Sequence, residues 1–323
     1  MRTTVVMATY NGEKYISEQL DSICRQTHSI NELVICDDNS TDDTVDKIEK
    51  YMIEHPDMNI RLYKNKHNLG FAENFNKALY LASGDYIFFS DQDDIWSRDK
   101  VEIMLNIMEE YSDCKLLCCD YEVFSTGENA PVPPKHILKQ MPNDGTVEKI
   151  QLSKQNIYLK TLGCCMCLKK EFREWMQPYW FTDWAQDDRC WKLAQCIDGC
   201  YLLHLNLVKH RLHENNTATF GKYHSLDKRI KLFRHMCNAA EQMIVCAKKY
   251  RADFKTQCEL EKHYRMIRFR LELLENKKLI NVILLIPFLN YYQKKKSLLV
   301  EIYMVIASNK DIHEEKLQWK NGR

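Results

Sequence analysis

Short apolar runs alternate with amphipathic segments along the first hundred residues of the chain. Four of these runs are rich in β-branched or aromatic residues and end in polar turn residues, as buried strands do: TTVVMAT, LVICDD, IRLYKN and GDYIFFSDQDD. Between them, residues 16–23 and 71–82 carry apolar residues three or four positions apart, which is typical of helices packed on a sheet. The alternation predicts an α/β fold, Rossmann-like, with a mainly parallel sheet flanked by helices.

Beyond residue 221 the pattern changes. Strand signals fade and long helical patterns take over, so we predict two domains, an α/β domain over residues 1–221 and a mostly helical C-terminal region over residues 222–323. The net charge of the whole chain is only +1, yet residues 222–323 hold 22 Lys and Arg against 11 Asp and Glu. A basic region of this kind favours phosphate-bearing surfaces.

Fourteen cysteines would suit a secreted, cross-linked protein. The N-terminus, however, lacks the cationic segment, long apolar stretch and small-residue cleavage site of a secretory signal. We therefore expect a cytoplasmic chain with reduced thiols. The cysteines do not fall into two CxxC pairs, which argues against a structural zinc site, and we expect most of them to be small buried hydrophobic residues.

Polar residues gather where the predicted strands end. Residues 9–11, 37–39 and 91–94 each follow a buried strand, and ligands of such sheets bind at the edge where the carboxyl ends of the strands meet. Asp91 and Asp93 are separated by one residue, so an extended backbone places both carboxylates on one side. Such a pair suits Mg²⁺ or Mn²⁺ held between carboxylates and a diphosphate, and a solvated acidic turn is the alternative.

The order of these motifs resembles that of family 2 glycosyltransferases, especially bacterial rhamnosyltransferases of surface-polysaccharide synthesis. The likeness is carried by VMATYNGEKYISEQLDSI, ELVICDDNSTDDT, NKHNLGFAENFNKAL and GDYIFFSDQDDIWSRDK. It runs through residues 3–104, resumes in GCCMCLKKEF, QDDRCWKLAQ and VKHRLHENNTA, and fails around Pro131 and beyond residue 222. The resemblance implies a GT-A fold in which residues 1–221 bind a nucleotide diphosphate sugar, use Mn²⁺ or Mg²⁺ and invert the anomeric carbon.

The resemblance also implies which residues bind the donor. Tyr10 would stack on the nucleotide base and Asp38 would accept a hydrogen bond from its ring N–H, tasks that suit an aromatic face and a carboxylate. Ala8 and Thr9 would add main-chain contacts. Asn68, Gly70 and Asn74 would shape the donor-sugar and phosphate loop, although Asn-Leu-Gly is equally a plain turn. Asp91 and Arg211 would also contact the donor.

By the same resemblance, Asp91 and Asp93 form the DxD motif. Asp93 would be the direct ligand of a divalent cation that bridges the two phosphates, with Asp94 as an acid beside it. His213 would bind the metal or a phosphate oxygen, with Arg211 adding positive charge. The cation would stabilise the charge that builds up on the leaving diphosphate.

An inverting transfer also needs a carboxylate that takes the proton of the acceptor hydroxyl. The resemblance places the family's acidic pair at Asp187 and Asp188. Asp188 is the candidate base and Asp187 the alternative, and either acid could simply begin a helix. Trp96, Trp180 and Trp184 are candidate stacking faces for an acceptor sugar, and Trp96 fits the core equally well.

The family likeness alone favours dTDP-rhamnose as the donor, with UDP-hexoses as the next choice. The acceptor would be a saccharide or a lipid-linked oligosaccharide of cell-surface polysaccharide synthesis. Two other functions stay open: a metal-dependent nucleotidyltransferase, which also uses paired acids with Mg²⁺, and a non-catalytic nucleotide-sugar-binding protein, which the retained acids disfavour. A dinucleotide-dependent oxidoreductase is disfavoured because no GxGxxG follows the first strand.

The basic C-terminal region contains one apolar stretch, residues 279–292, between lysines at 277–278 and 294–296. It is too short and too polar to span a membrane, which takes about 20 apolar residues. We expect it to lie on the inner face of the plasma membrane, where the lysines attract anionic lipid and the tyrosine pair 291–292 meets the headgroups. A core helix is the alternative. No nucleic acid partner is expected, because no RNA- or DNA-binding signature is present.

Overall fold

The computed structural model describes most of the chain: residues 1–127, 130–131, 142–214, 225–250, 253–292, 294 and 296–321, with side chains as far as residue 308. These residues fall into two compact units. Unit 1 comprises Met1–Gln151 and Leu159–Thr217, and unit 2 comprises Leu152–Tyr158 and Ala218–Arg323. The predicted boundary at 221/222 lies outside the described residues. Leu152–Tyr158, which the sequence analysis includes in the first domain, belongs to unit 2.

Unit 1 alternates strands and helices in its first part: β1 Thr3–Thr9, α1 Ile16–Cys24, β2 Glu32–Asp37, α2 Thr44–Glu54, β3 Ile60–Lys64, α3 Phe71–Leu81 and β4 Tyr86–Ser90. Its second part is less regular: β5 Ile95–Trp96, α4 Lys100–Glu110, β6 Leu116–Ser125, β7 Val147–Lys149, β8 Met166–Lys169, α5 Lys170–Met176, α6 Gln186–Cys196 and β9 Cys200–Leu212. The mixture agrees with the predicted α/β class.

The strands of the described residues form one sheet in the order β3-β2-β1-β4-β8-β6-β9-β5, with β7 paired to β9. β1 pairs in parallel with β2 and β4, and β2 with β3. β8 runs antiparallel between β4 and β6, so β6 and its parallel neighbour β9 share the direction of the first four strands. Only β5, β7 and β8 run the other way among these strands, and the mainly parallel sheet is confirmed.

The central strands are covered on both faces, which explains their nearly continuous apolar sequence. Every residue of β2 and β4 is buried. Helix α1 places Ile16, Leu20 and Ile23 against the sheet, and all three have less than 2% of their surface exposed. The spacing of three and four that predicts this helix is therefore the spacing of its buried face.

Six of the described strands of unit 1 end at the same edge of the sheet because they share one direction: β1, β2, β3, β4, β6 and β9. Tyr10, Asp38, residues 91–94 and His213 each follow one of these strands directly. The topology therefore brings together polar residues that lie far apart in the sequence.

Unit 2 is helical, with α7 Leu226–Lys249, α8 Phe254–Asn276, α9 Asn281–Leu285 and α10 Lys296–Asn321. A 3₁₀ turn, Ile286–Tyr291, follows α9. The mostly helical C-terminal region predicted from the sequence is confirmed. Among the described residues, none of the helices combines the length and apolarity that crossing a membrane takes.

The apolar segment 279–292 divides between the core and the surface of unit 2. Leu285 and Tyr292 are buried in its apolar cluster, whereas Ile280 and Ile283 are exposed. The expectation that the tyrosine pair meets lipid headgroups is wrong for Tyr292, because the Arg270 guanidinium lies 4.1 Å from the centre of its buried ring.

A buried ionic cluster joins three helices of unit 2. Glu301 of α10 is fully buried, pairs with Arg270 of α8 at 2.5 Å and lies 3.3 Å from Arg229 of α7. The Arg270 guanidinium also lies 4.3 Å from the ring centre of Phe233. A carboxylate can stay buried at this depth only because cations surround it.

We predict that Glu301→Ala lowers the stability of the protein by about 3–5 kcal/mol, because two guanidinium groups then stay buried without their carboxylate. Thermal unfolding followed by far-ultraviolet circular dichroism measures the loss. The control is Glu272→Ala, which removes the exposed partner of Arg268 on α8 and should cost less than about 1 kcal/mol. Equal melting temperatures for the two variants would contradict this account of the cluster.

Candidate active site

The loop after β1 is clamped by a side chain from the loop after β4. Gln92 accepts a hydrogen bond from the Tyr10 N–H at 2.9 Å and donates one to the Tyr10 carbonyl at 3.0 Å. Gly12 makes room for the clamp, since a Cβ there would lie 2.2 Å from Gln92 Oε1. The Tyr10 ring is 47% exposed and is therefore available to stack on a ligand.

The loops after β1 and β2 are bonded to one another. Thr9, which is buried beside Ala8 at the end of β1, donates its hydroxyl to Asp37 Oδ1 at 2.8 Å. Asn11 continues the connection, because its N–H donates to Ser40 Oγ at 2.9 Å. The backbone around Tyr10 is thus held on two sides before any ligand binds.

Asp38 uses most of its carboxylate inside the protein. Its Oδ1 accepts from Asn65 Nδ2 and the Leu69 N–H, both at 2.8 Å, and its Oδ2 accepts from the Gly70 N–H at 2.9 Å. The side chain is only 2% exposed. A carboxylate offers roughly four acceptor positions, and these contacts use three of them. Holding the turn before α3 is the role of Asp38 that the geometry displays.

The residues of that turn have separate tasks. Gly70 has φ of 84°, a conformation that favours glycine, and its N–H also donates to Asn68 Oδ1 at 3.0 Å. Asn68 is exposed at the rim of the loop. Asn74 is 1% exposed, donates to the Cys36 carbonyl at 2.7 Å and accepts from Asn65 at 2.9 Å. Asn74 therefore fastens α3 to β2 and has little surface for a ligand.

Three carboxylates are crowded into the loop after β4. Burial raises the pKa of Asp91 well above its usual range, and the charges of Asp94 and Asp93 raise it further. Asp93 Oδ2 lies 2.7 Å from Nε2 of His213, which follows β9. Oxygen donors that repel one another, with an imidazole beside them, fit a divalent cation such as Mn²⁺, because the cation relieves the repulsion.

Asp94 points away from Asp93 and into the protein. It is fully buried, and its Oδ1 lies 2.8 Å from Nδ1 of His210 and accepts from the Arg211 N–H at 3.1 Å. Its Oδ2 is buried with no hydrogen-bond partner among the described residues. Burial lowers the pKa of His210, but the hydrogen bond and charge of Asp94 outweigh burial and raise that pKa to about 9.

Arg211 is used inside the protein rather than presented to a ligand. Its Nε donates to the Asp93 carbonyl at 2.8 Å, and its Nη2 pairs with the Glu18 carboxylate. The guanidinium lies between the rings of Tyr15 and Phe124, 4.5 and 4.6 Å from their centres, and the residue is 4% exposed. This geometry supports a positioning role at the backbone of Asp93 instead of the phosphate contact expected from the sequence.

The two acids in the first turn of α6 have different surroundings. Asp188 Oδ2 accepts from Trp184 Nε1 at 2.9 Å and from Lys192 Nζ at 2.6 Å. Burial and the charge of Asp188 together raise the pKa of Asp187 to about 6. The charge of Asp187 also raises the pKa of Asp91, so it acts on the acids after β4. Of the pair, Asp187 is the acid electrostatically linked to the other site residues.

Two of the three tryptophans proposed as sugar-stacking faces lie in the core. Trp96 is 4% exposed beneath the Lys100 ammonium, 3.5 Å from its ring centre. Trp184 is 1% exposed and stacks on Phe181 at 4.7 Å. Trp180 alone of the three is half-buried. Stacking on Trp96 or Trp184 is therefore ruled out in this conformation.

Sequence reasoning missed Gln92, Asn65 and His210. Gln92 had a readable signal, because alternation along an extended segment sends the residue between Asp91 and Asp93 to the opposite side. Asn65 and His210 had none, since each depends on a partner brought near only by the folded sheet.

Residues 4–175 match the family model described as Glycosyl transferase family 2, more than half of the chain. The dTDP-rhamnosyl transferase RfbG of Shigella flexneri is 44% identical over 174 residues, which are 51% of this chain and 54% of the relative. An Escherichia coli relative, the UDP-Glc:alpha-D-GlcNAc-diphosphoundecaprenol beta-1,3-glucosyltransferase WfgD, is 35% identical over 122 residues, 38% and 46% of the two chains. The chain spans about half the length of these curated relatives.

Solved structures resemble the fold over nearly the whole chain. The S. aureus TarS fragment 1–349 in complex with UDP superposes with a TM-score of 0.60 at 18% identity, covering 96% of this chain and 92% of the other. The mannosyltransferase PcManGT from Pyrobaculum calidifontis, in complex with GDP-Man and Mn²⁺, gives a TM-score of 0.54 at 20% identity, covering 96% and 87%. At these identities the likeness establishes the fold.

Proposed function

This chain belongs to glycosyl transferase family 2, and on that premise we propose that it is an inverting, metal-dependent transferase that moves a sugar from a nucleoside diphosphate to a saccharide or lipid-linked saccharide. One observation carries the proposal. Residues of four kinds follow strands that end at one edge of the sheet: the exposed Tyr10, the Asp38 carboxylate, the acids of residues 91–94 and the imidazole of His213.

At the nucleotide end, the Tyr10 ring stacks on the base while the remaining acceptor position of Asp38 takes the ring N–H of a pyrimidine. Thymine and uracil present the same N–H, so these two residues do not choose between them. We propose dTDP-rhamnose as the donor because the Shigella relative is named for that activity. A UDP-hexose is second, in keeping with the name of the Escherichia coli relative.

At the diphosphate end, Asp91, Asp93 and His213 would hold Mn²⁺ or Mg²⁺. When bound, the ion supplies positive charge that stabilises the leaving diphosphate. Arg211 fixes the main chain of Asp93 through its carbonyl, so the carboxylate is held in place before the donor arrives. His213 restrains the same carboxylate from the opposite side of the loop.

Asp187 is the better base of the α6 pair. A base that works near neutral pH needs a pKa close to the working pH, and the pKa of Asp187 is raised to about 6. Asp188, by contrast, is engaged through its Oδ2 by the Trp184 indole and the Lys192 ammonium. Asp187 therefore takes the acceptor proton, and Asp188 raises its basicity.

We predict that Asp187→Asn lowers turnover roughly 10²- to 10⁴-fold while donor binding stays near normal, because the proton moves only in the transition state. The wild-type value of kcat/KM should fall as the pH drops through about 6, where Asp187 becomes protonated. Initial rates measured across pH, with donor affinity from calorimetry, give both quantities.

Asp188→Asn is the matched control for that prediction. It removes a like charge from Asp187 and releases the Lys192 ammonium, and both changes lower the pKa of Asp187. The variant should stay active, with the acid limb of its profile moved to lower pH. If Asp188→Asn were inactive and Asp187→Asn active, the base would be Asp188.

The transfer itself is tested by supplying dTDP-rhamnose or UDP-hexoses with lipid-linked saccharides and identifying the nucleotide product. We expect nucleoside diphosphate, formed only with Mn²⁺ or Mg²⁺ and stopped by EDTA. Asp93→Asn should abolish turnover, whereas Asp57→Asn, at an exposed acid after α2, should not.

Each other outcome of that assay removes part of the proposal. Pyrophosphate as the product would indicate a nucleotidyltransferase, and donor binding without any product would indicate a non-catalytic binding protein. Full activity in EDTA would exclude the metal.

We further propose that unit 2 lies on an anionic membrane surface. Its apolar residues Ile280, Ile283 and Ile286 are 57–65% exposed, and the exposed lysines 278, 294 and 296 flank them in the sequence. Lys295 lies outside the described residues. Apolar groups that enter the interface, with cations that attract anionic headgroups, are the two signals that peripheral binding combines.

Flotation with phosphatidylglycerol vesicles tests this surface. We expect the full chain to float and the triple variant Ile280→Ser, Ile283→Ser, Ile286→Ser to stay behind, because the replaced groups supply the apolar contact. Ile53→Ser, on an isoleucine of α2 that is 80% exposed, is the control and should float. The membrane proposal would be overturned if all three proteins floated equally, or if none of them floated.

A further inference from the structure

Three potential metal ligands of different chemistry meet on the inner side of the acid loop. One ligand atom each of Asp94, Cys164 and His210 lies within 4.8 Å of the other two. The residues come from separate segments: the loop after β4, the 3₁₀ turn before β8, and β9. All three belong to unit 1.

The group contains a buried acceptor without a hydrogen-bond partner among the described residues. Asp94 is fully buried, and its Oδ2 has no hydrogen-bond partner among the described residues, although a buried carboxylate oxygen left unpaired is costly. The Cys164 turn is fixed from behind, because the Lys100 ammonium donates to the Cys164 carbonyl at 2.6 Å. A cation would give Asp94 Oδ2 the partner that the protein does not supply.

We propose that Asp94, Cys164 and His210 form a second divalent-cation site, one for Zn²⁺ or another thiophilic ion. A thiolate, an imidazole and a carboxylate are the donors that Zn²⁺ takes, whereas Mg²⁺ prefers oxygen alone. The site differs in this respect from Asp91, Asp93 and His213, which offer two carboxylates and an imidazole. The proposal does not depend on the transferase function.

The ligand atoms are close to the spacing that a bound zinc ion requires. Zinc bonds of about 2.0–2.3 Å in tetrahedral geometry place ligand atoms roughly 3.5 Å apart, so the present separations need to contract by little more than an ångström at most. The His210 side chain is 20% exposed and gives the ion its access from solvent. The bound ion would tie β9 and the Cys164 turn to the loop that carries Asp93.

Cobalt replacing zinc reports the thiolate directly. We expect Co²⁺ added to the full-length protein to give a thiolate-to-cobalt charge-transfer band in the near ultraviolet, which stoichiometric Zn²⁺ removes and excess Mg²⁺ leaves in place. Cys164→Ala should lose the band. Cys167→Ala, at an equally buried thiol on β8, is the matched control and should keep it.

Two further variants separate this site from the neighbouring acids. His210→Gln should lose the band, or bind Co²⁺ at least tenfold more weakly, and it tests the site even if Cys164→Ala fails to fold. Asp93→Asn should retain the band. The proposal would be overturned if Asp93→Asn lost the band, if Mg²⁺ displaced it, or if the Cys164 and Cys167 variants gave equal bands. The absence of any band in the wild-type protein would overturn it as well.

A thermal measurement gives an independent outcome. An ion that binds only the folded protein raises the melting temperature in proportion to the logarithm of its concentration. We expect Zn²⁺ to stabilise the wild-type protein and Cys167→Ala, and to leave Cys164→Ala unchanged. The same shift in all three proteins would place the ion elsewhere and contradict the assignment.

Discussion

The carboxylates of Asp91, Asp93 and Asp94 repel one another, and the structure at this edge of the sheet depends on the basic groups that offset their repulsion. The C-terminal end of β9 passes beside the acid loop and supplies two basic groups, His210 beside Asp94 and Arg211 at the Asp93 carbonyl. His213, directly after the strand, adds a third at the Asp93 carboxylate. The pairing of β9 with β5 and β6 sets this register. With the acid loop fixed, Gln92 can reach across to hold the loop after β1.

The fold was largely predictable because its signals are local. Apolar runs with polar ends predict the buried strands, and helical spacing predicts α1 and α3, whose bounds agree closely with those of the structure. The GT-A fold implied by the family resemblance is confirmed by structural neighbours over nearly the whole chain. Tyr292 shows the limit of local reading. The paired tyrosine sequence resembles an interfacial anchor, but the ring of Tyr292 is buried in contact with Glu301 and Arg270.

The candidate site was less predictable, because several of its residues are defined by partners far along the chain. The motif around Arg211 predicts that it binds the donor, yet Glu18 and the rings of Tyr15 and Phe124 surround its guanidinium. Asp38 is likewise engaged by the turn before α3. The α6 acids are different, because a local signal existed. Lys192 lies four residues after Asp188, the helical spacing of an ion pair, and that pairing helps to distinguish Asp188 from its neighbour.

The contact between Gly12 and Gln92 also constrains how this sequence can evolve. Any side chain at position 12 would occupy the space of the Gln92 amide, and a shorter residue at position 92 would abandon both hydrogen bonds to the Tyr10 backbone. A side chain at position 12 would push the Gln92 amide aside and cost the Tyr10 backbone the same two hydrogen bonds, so the effect of a substitution at position 92 depends on which residue stands at position 12. Gln92, the uncharged residue between Asp91 and Asp93, is thus coupled by epistasis to Gly12 in the loop after β1.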